Sequence, residues 1–171
     1  MASIKLRGQT INTIGELPDV GSTAPDFKLV NAKLQDKTLA DFAGKKLLLN
    51  IVPSLDTPVC AASTKQFNQL AEGRDDVVML MISADLPFAQ SRFCGVEKLK
   101  NVLPLSLMRS RRFAKAYGVL MVGGPLAGLT ARAVVVIDEQ GKVGYAELVQ
   151  DVADEPDYEA VMAALGGDPN S

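Results

Sequence analysis

The sequence predicts an α/β fold: one central mixed sheet with helices on both faces. Three observations carry that prediction. Residues 47–52 (Leu-Leu-Leu-Asn-Ile-Val) and 77–83 (Val-Val-Met-Leu-Met-Ile-Ser) are continuous apolar runs of strand length, and a helical segment at 61–72 lies between them, the pattern of a β-α-β unit with a parallel pair. Residues 133–138 and 143–148, joined by Glu139-Gln-Gly-Lys142, read as an antiparallel hairpin. The 171 residues, 47% hydrophobic, are enough to bury a full core without disulfide staples.

Taken in order, residues 4–14 carry apolar positions around Arg7-Gly8-Gln9 and predict an N-terminal β-hairpin within 1–15. Pro25 precedes a short strand at 26–30. The β-α-β unit follows. Asp85 and Pro87 then open a short helix over 86–93, since an acidic cap followed by an early proline marks a helix start. A loop through Pro104 leads to a helix near 111–117, then the hairpin, then a closing helix over 157–165. Residues 166–171 read as a flexible tail. The order β-α-β then β-β-α is that of a thioredoxin-like sheet, and residues 1–171 form a single domain on this reading.

Between the first long strand and its helix stands Pro53-Ser-Leu-Asp-Thr57-Pro58-Val-Cys60. Thr57 suits an N-cap, and Pro58 suits the first helical position, where its missing N–H would be unpaired anyway and its φ is already helical. Cys60 is then the third helical residue, where unpaired amides and the positive end of the helix dipole favour a thiolate. A cysteine that merely packs would fall on the apolar stripe of Phe67, Leu70 and Ala71, with Ser63 or Thr64 one turn earlier. A first-turn residue instead points back toward the preceding loop. Cys60 therefore reads as a reactive thiol.

Absences narrow the chemistry. With no histidine there is no Ser-His-Asp or Cys-His arrangement, no histidine metal site and no histidine-ligated haem. Two cysteines, far apart and outside any Cys-x-x-Cys pair, are too few for a zinc or iron–sulfur centre. No metal and no organic cofactor is expected. A net charge of −2 with 22% charged residues gives no nucleic-acid or membrane preference. The opening Met-Ala-Ser-Ile-Lys-Leu lacks the apolar stretch of a signal peptide, and no run approaches the ~18 apolar residues of a membrane span. A cytoplasmic location, where thiols stay reduced, is expected. The basic run from Arg109 to Lys115 reads as a solvated helix face, Gly123-Gly124-Pro125 with Gly128 as a loop, and Met79 and Met81 as core. On the residues alone, Arg132 is a strand-end arginine, and Cys94, beside Phe93, is as well explained by packing as by redox work.

The segment Pro53-x-x-x-Thr57-x-x-Cys60 resembles the active-site signature of the peroxiredoxins. The wider Ser54-Leu-Asp-Thr-Pro-Val-Cys60, with Phe67-Asn68, is similar to the bacterial thiol peroxidase branch of that family, as are Ser83-Ala-Asp-Leu-Pro-Phe-Ala-Gln-Ser-Arg-Phe-Cys94 and Ala131-Arg132-Ala-Val-Val-Val-Ile-Asp138. The three segments occur in the family's order and span most of the chain.

The resemblance implies a peroxiredoxin-type fold and reduction of hydrogen peroxide and organic hydroperoxides. It implies Cys60 as the attacking thiol, Cys94 as the resolving cysteine of an intramolecular Cys60–Cys94 disulfide, thioredoxin as reductant and a homodimer. Pro53 would shield the thiol, and Arg132 would hold a fixed positive charge beside it and orient the peroxide. These residue types fit the chemistry, because thiolate attack on a peroxide needs a sulfur held charged and donors aimed at both oxygens. Thr57, one turn before Cys60, can supply a hydroxyl, and the first-turn amides can hold oxygen. Two other readings compete. A non-enzymatic thioredoxin-like redox sensor would share the residues and differ in turnover. A glutathione-peroxidase-like enzyme is disfavoured because that family's site uses a tryptophan and this chain has none.

Overall fold

The structure, a computed structural model, describes residues 1–166. The chain opens with a hairpin of β1 (Ser3–Leu6) and β2 (Gln9–Ile14). Its two turn residues, Arg7 and Gly8, both have positive φ (50° and 87°), as a type I′ turn requires. A left-handed arginine is disfavoured, and Asp151 supports it by accepting from the Arg7 and Gly8 amides, each at 3.2 Å. The two-residue strand β8 (Leu120–Met121) pairs with β2 and completes a small three-stranded sheet.

The main sheet has seven strands. At its centre β5 (Lys46–Ile51), β6 (Val77–Ser83) and β7 (Leu103–Ser106) run parallel, and α1 (Pro58–Leu70) and α2 (Pro87–Val96) make the two crossovers. On one side β9 (Ala133–Ile137) lies antiparallel to β5 and is followed by β10 (Val143–Leu148). On the other side β7 meets β3 (Lys28–Val30), which pairs with the edge strand β4 (Asp36–Thr38). A 3-10 turn (Leu39–Phe42) follows β4, α3 (Arg112–Ala116) follows β7, and α4 (Tyr158–Ala164) closes the described chain.

The central strands are apolar on both faces because both faces are covered. Leu47, Leu49, Ile51, Leu80, Ile82 and Val135 pack with Phe113 and Tyr117 around α3. Leu48, Val52, Met79, Met81, Val134 and Val136 pack on the opposite face with Phe67 of α1 and Val161 of α4. Phe67 is fully buried and meets Tyr158 edge-on with ring centroids 5.1 Å apart, so truncation to alanine would cost about 3–5 kcal/mol. Gly118 has φ +66°, and a Cβ there would collide with the Glu16 backbone, so only glycine lets these two loops cross.

The mixed sheet, the N-terminal hairpin and the β-α-β unit match the fold expected from the sequence. Several elements differ. Pro104, expected in a loop, sits inside β7, where it is tolerated because β7 meets β3 only at the Val30–Ser106 pair and no ladder on that side is interrupted. The helix expected at 86–93 runs to Val96 and so contains Cys94. Its N-cap is Leu86 and not Asp85, whose carboxylate is engaged elsewhere. Of the expected tail, all but Gly166 lies outside the described residues.

Candidate active site

The site forms where β5 ends and α1 begins. Strand β9 runs beside β5 in a register that pairs Ile51 with Ala133, which brings Arg132 level with the residues leaving the strand toward Pro53. Thr130 fixes that approach by donating its hydroxyl to the Val52 carbonyl at 2.9 Å. Cys60, at the third position of α1, faces the same point. Arg132 Nη2 donates to Cys60 Sγ at 3.1 Å, and Arg132 Nε donates to the Val152 carbonyl at 3.1 Å. The sequence alone did not reveal that Arg132 and Cys60 meet.

Both groups are buried: Cys60 is 0% exposed and Arg132 2%. Among the described residues Arg132 has no carboxylate within ion-pair distance, and its Nη1 has no hydrogen-bond partner. The burial of Cys60 corrects the contrast drawn from the sequence between a packing stripe and a reactive first turn. Residues 60, 64 and 67 lie on one face of α1 at helical spacing, and the thiol heads the buried stripe of Thr64 and Phe67 while also standing in the first turn. Ser63 and Thr64 donate their hydroxyls to the Cys60 carbonyl at 3.1 and 2.8 Å, which ties down the turn that carries the sulfur.

Thr57 occupies the N-cap position with extended backbone, as expected, but its side chain does not cap. Its hydroxyl donates back to the Ser54 carbonyl at 2.9 Å instead. Because no side chain caps α1, the amides of its first turn have no side-chain partner at the level of the sulfur. Pro53 is buried, and Thr57 is exposed.

Cys94 is half-buried in α2 and packs against the same apolar cluster that contains Cys60. Both thiols are free. Burial pushes the Cys94 thiol up from its ordinary range, so it is held as the neutral form. A cleft of about 500 Å³ lies between the 55–56 loop and α2, lined by Leu55, Asp56, Asp85, Ala89, Phe93 and Val96 among others. Cys60 is not among the residues on its wall. The phenol of Tyr158, which meets Phe67 edge-on, is pushed up by burial and by Glu155, against a smaller opposing effect of the Arg132 charge.

Residues that the sequence reading did not place at the site also shape it. The Asp85 carboxylate accepts three hydrogen bonds, from Ser54 Oγ, the Leu55 amide and Ser83 Oγ, at 2.7, 2.8 and 2.7 Å. Its place between a strand end and a proline explains why it reads as a helix cap; only the strand–loop juxtaposition reveals its other use. Gln90, fully buried in α2, offered one signal, because a glutamine on the inner face of a short helix needs a polar partner. No helix among the described residues is long and apolar enough to cross a membrane.

Comparison with known proteins agrees with this arrangement. The Redoxin family model matches residues 19–162. A thiol peroxidase of Mycobacterium tuberculosis is 54% identical over 166 residues, covering 97% of this chain and 99% of the relative. Among solved structures, a peroxiredoxin-like protein from Aquifex aeolicus superposes with a TM-score of 0.90 at 38% identity, covering 97% of this chain and 96% of that one. A thiol peroxidase from Chromobacterium violaceum gives a TM-score of 0.89 at 26% identity, with 96% and 95% covered.

Proposed function

The chain belongs to the redoxin family, and from that premise we propose that it is a thiol peroxidase that reduces hydrogen peroxide and organic hydroperoxides through Cys60, with Cys94 as the resolving thiol and thioredoxin as the reductant. One observation carries the reading: a buried guanidinium with no acidic partner among the described residues donates to the sulfur at a helix start. An unpaired buried charge is strongly unfavourable, and Cys60 as a thiolate supplies the counter-charge.

The thiolate attacks the distal peroxide oxygen. An S–O bond forms, the O–O bond breaks, and the leaving oxygen departs with the electron pair and takes up a proton to become water or an alcohol. Arg132 Nη1 and the first-turn amides of α1 are the donors available to the charge that develops on oxygen. Thr57 has committed its hydroxyl hydrogen to Ser54, so its oxygen accepts from the O–H of the incoming hydroperoxide. Pro53 closes the site from below and keeps water from the sulfur.

Cys60 is left as a sulfenic acid. The Cys94 thiol attacks its sulfur, the S–S bond forms, the S–O bond breaks, and water leaves. Thioredoxin then returns both cysteines to thiols by exchange. The protein acts as one domain in the cytosol and as a homodimer, for which the exposed Leu86, Phe88 and Val96 about α2 offer apolar surface. A coupled assay with thioredoxin, its reductase and NADPH tests the proposal: peroxide-dependent NADPH consumption over many turnovers supports it, and a single stoichiometric oxidation without turnover replaces it with a redox sensor.

A further inference from the structure

The three hydrogen bonds received by the Asp85 carboxylate come from two different parts of the chain. Ser54 and Leu55 belong to the loop that leads into the Cys60 helix, and Ser83 ends β6. Ser83 Oγ, having given its one hydrogen to Asp85, accepts from Gln90 Nε2 at 3.0 Å. Gln90 lies in α2, four residues before Cys94, and also donates to the Leu105 carbonyl at 2.9 Å. At the other end, Ser54 accepts from the Thr57 hydroxyl through its carbonyl. One hydrogen-bonded chain therefore runs Thr57, Ser54, Asp85, Ser83, Gln90, from the residue before α1 to the helix that carries Cys94. Asp85 is anchored in turn to β7, since its carbonyl accepts from Ser106 Oγ at 2.6 Å.

We propose that Asp85 is a positioning residue that acts in opposite directions on the two chemical steps. It holds the 54–57 loop in the geometry that peroxide attack needs, and the same bonds restrain the two cysteine segments from the rearrangement that disulfide formation needs. The inference rests on the reading of Cys94 as the resolving thiol. Before attack, the carboxylate fixes Ser54 and through it the Thr57 hydroxyl, so the acceptor for the peroxide hydrogen is in place before substrate arrives. After attack, the Cα atoms of Cys60 and Cys94 must come within about 7 Å. The loop before one donates to Asp85 and the helix bearing the other donates to Ser83, which itself donates to Asp85, so movement of the two segments relative to each other breaks bonds in this chain. Only a carboxylate serves all three donors; asparagine in its place keeps the shape but turns one acceptor face into a donor.

The test is Asp85→Asn and Ser54→Ala in the full chain, each checked by circular dichroism, with the two steps timed separately by rapid mixing. Trapping of the sulfenic acid reports the first, and non-reducing mass analysis of the Cys60–Cys94 disulfide reports the second. Asp85→Asn should slow sulfenic acid formation about tenfold or more while disulfide formation from the sulfenic acid speeds up severalfold. Ser54→Ala, which keeps the carboxylate and removes one donor, should shift both steps the same way by a smaller factor. Equal slowing of both steps, or no change in either, overturns the proposal and leaves Asp85 a structural clamp. Wild-type protein that forms no Cys60–Cys94 disulfide overturns the reading of Cys94, and the first-step rate of Asp85→Asn then decides the positioning role by itself.

Discussion

Replacing Arg132 with methionine keeps most of the side-chain volume and removes the guanidinium from Cys60. The contact is a single buried hydrogen bond of 3.1 Å to a sulfur that reacts as its anion. Hydrogen bonds to charged groups contribute about 1.5–3 kcal/mol. The larger figure of about 3–5 kcal/mol for breaking a buried ion pair concerns the stability of the fold rather than the barrier of a chemical step. At about 1.4 kcal/mol per factor of ten, Arg132→Met should slow peroxide reduction about 10- to 150-fold. Stopped-flow single turnovers with limiting peroxide measure the step directly. Arg132→Lys should fall between the two, since an ammonium keeps the charge but cannot span both the sulfur and the Val152 carbonyl. Because Val152 loses its donor in the methionine variant, thermal unfolding must be followed in parallel. A folded Arg132→Met protein that reacts within threefold of wild type would refute the electrostatic role and leave Arg132 as a pin between β9 and the 152 loop.

The other expectations concern the cysteines. Cys60→Ser should abolish peroxide consumption, and residual activity above a few per cent of wild type would reject Cys60 as the nucleophile. Cys94→Ser should keep the first oxidation and lose thioredoxin-driven turnover; absence of a rapid single turnover would contradict that division of labour. Because burial raises the Cys94 pKa, the disulfide-forming step should accelerate with rising pH through and above the ordinary thiol range, and a flat profile in rapid-quench measurements would count against direct attack by Cys94. Oxidised protein should run as a monomer on non-reducing gels, with faster hydrogen exchange across residues 86–96; a covalent dimer as the main product would exclude the intramolecular disulfide, and unchanged protection in both cysteine segments would exclude the local remodelling.

The β5-α1-β6 unit was legible because two uninterrupted apolar strands flank a Thr-Pro helix start, signals that are strong and local. The same locality made Cys60 legible. β7, β4 and β8 were not: the first carries a proline, the second is Asp-Lys-Thr, and the third has two residues, so none shows a period. Each exists because a neighbouring strand offers it partners, which is a property of the assembled sheet. Arg132 became a site residue through the family resemblance, since its contact with Cys60 depends on the β5–β9 register across a long sequence separation. Asp85 was misread for a related reason. A cap and a loop clamp call for the same residue type at the same place, and only the position of the 54–55 backbone decides between them.

The unpartnered Nη1 of Arg132 sets catalysis against endurance at a single atom. A buried donor without an acceptor destabilises a fold by about 1–3 kcal/mol, a sizeable share of the roughly 5–15 kcal/mol that separates a native domain from its unfolded chain. The described residues offer this atom no acceptor, and in the proposed mechanism a peroxide oxygen supplies one. Selection for heat resistance alone would favour an acceptor beside Nη1, and each such change would occupy the place that the proposed mechanism gives to the peroxide oxygen. Thermal tolerance and peroxide turnover should therefore be anticorrelated among variants of the residues that surround this guanidinium, and uncorrelated elsewhere in the sheet.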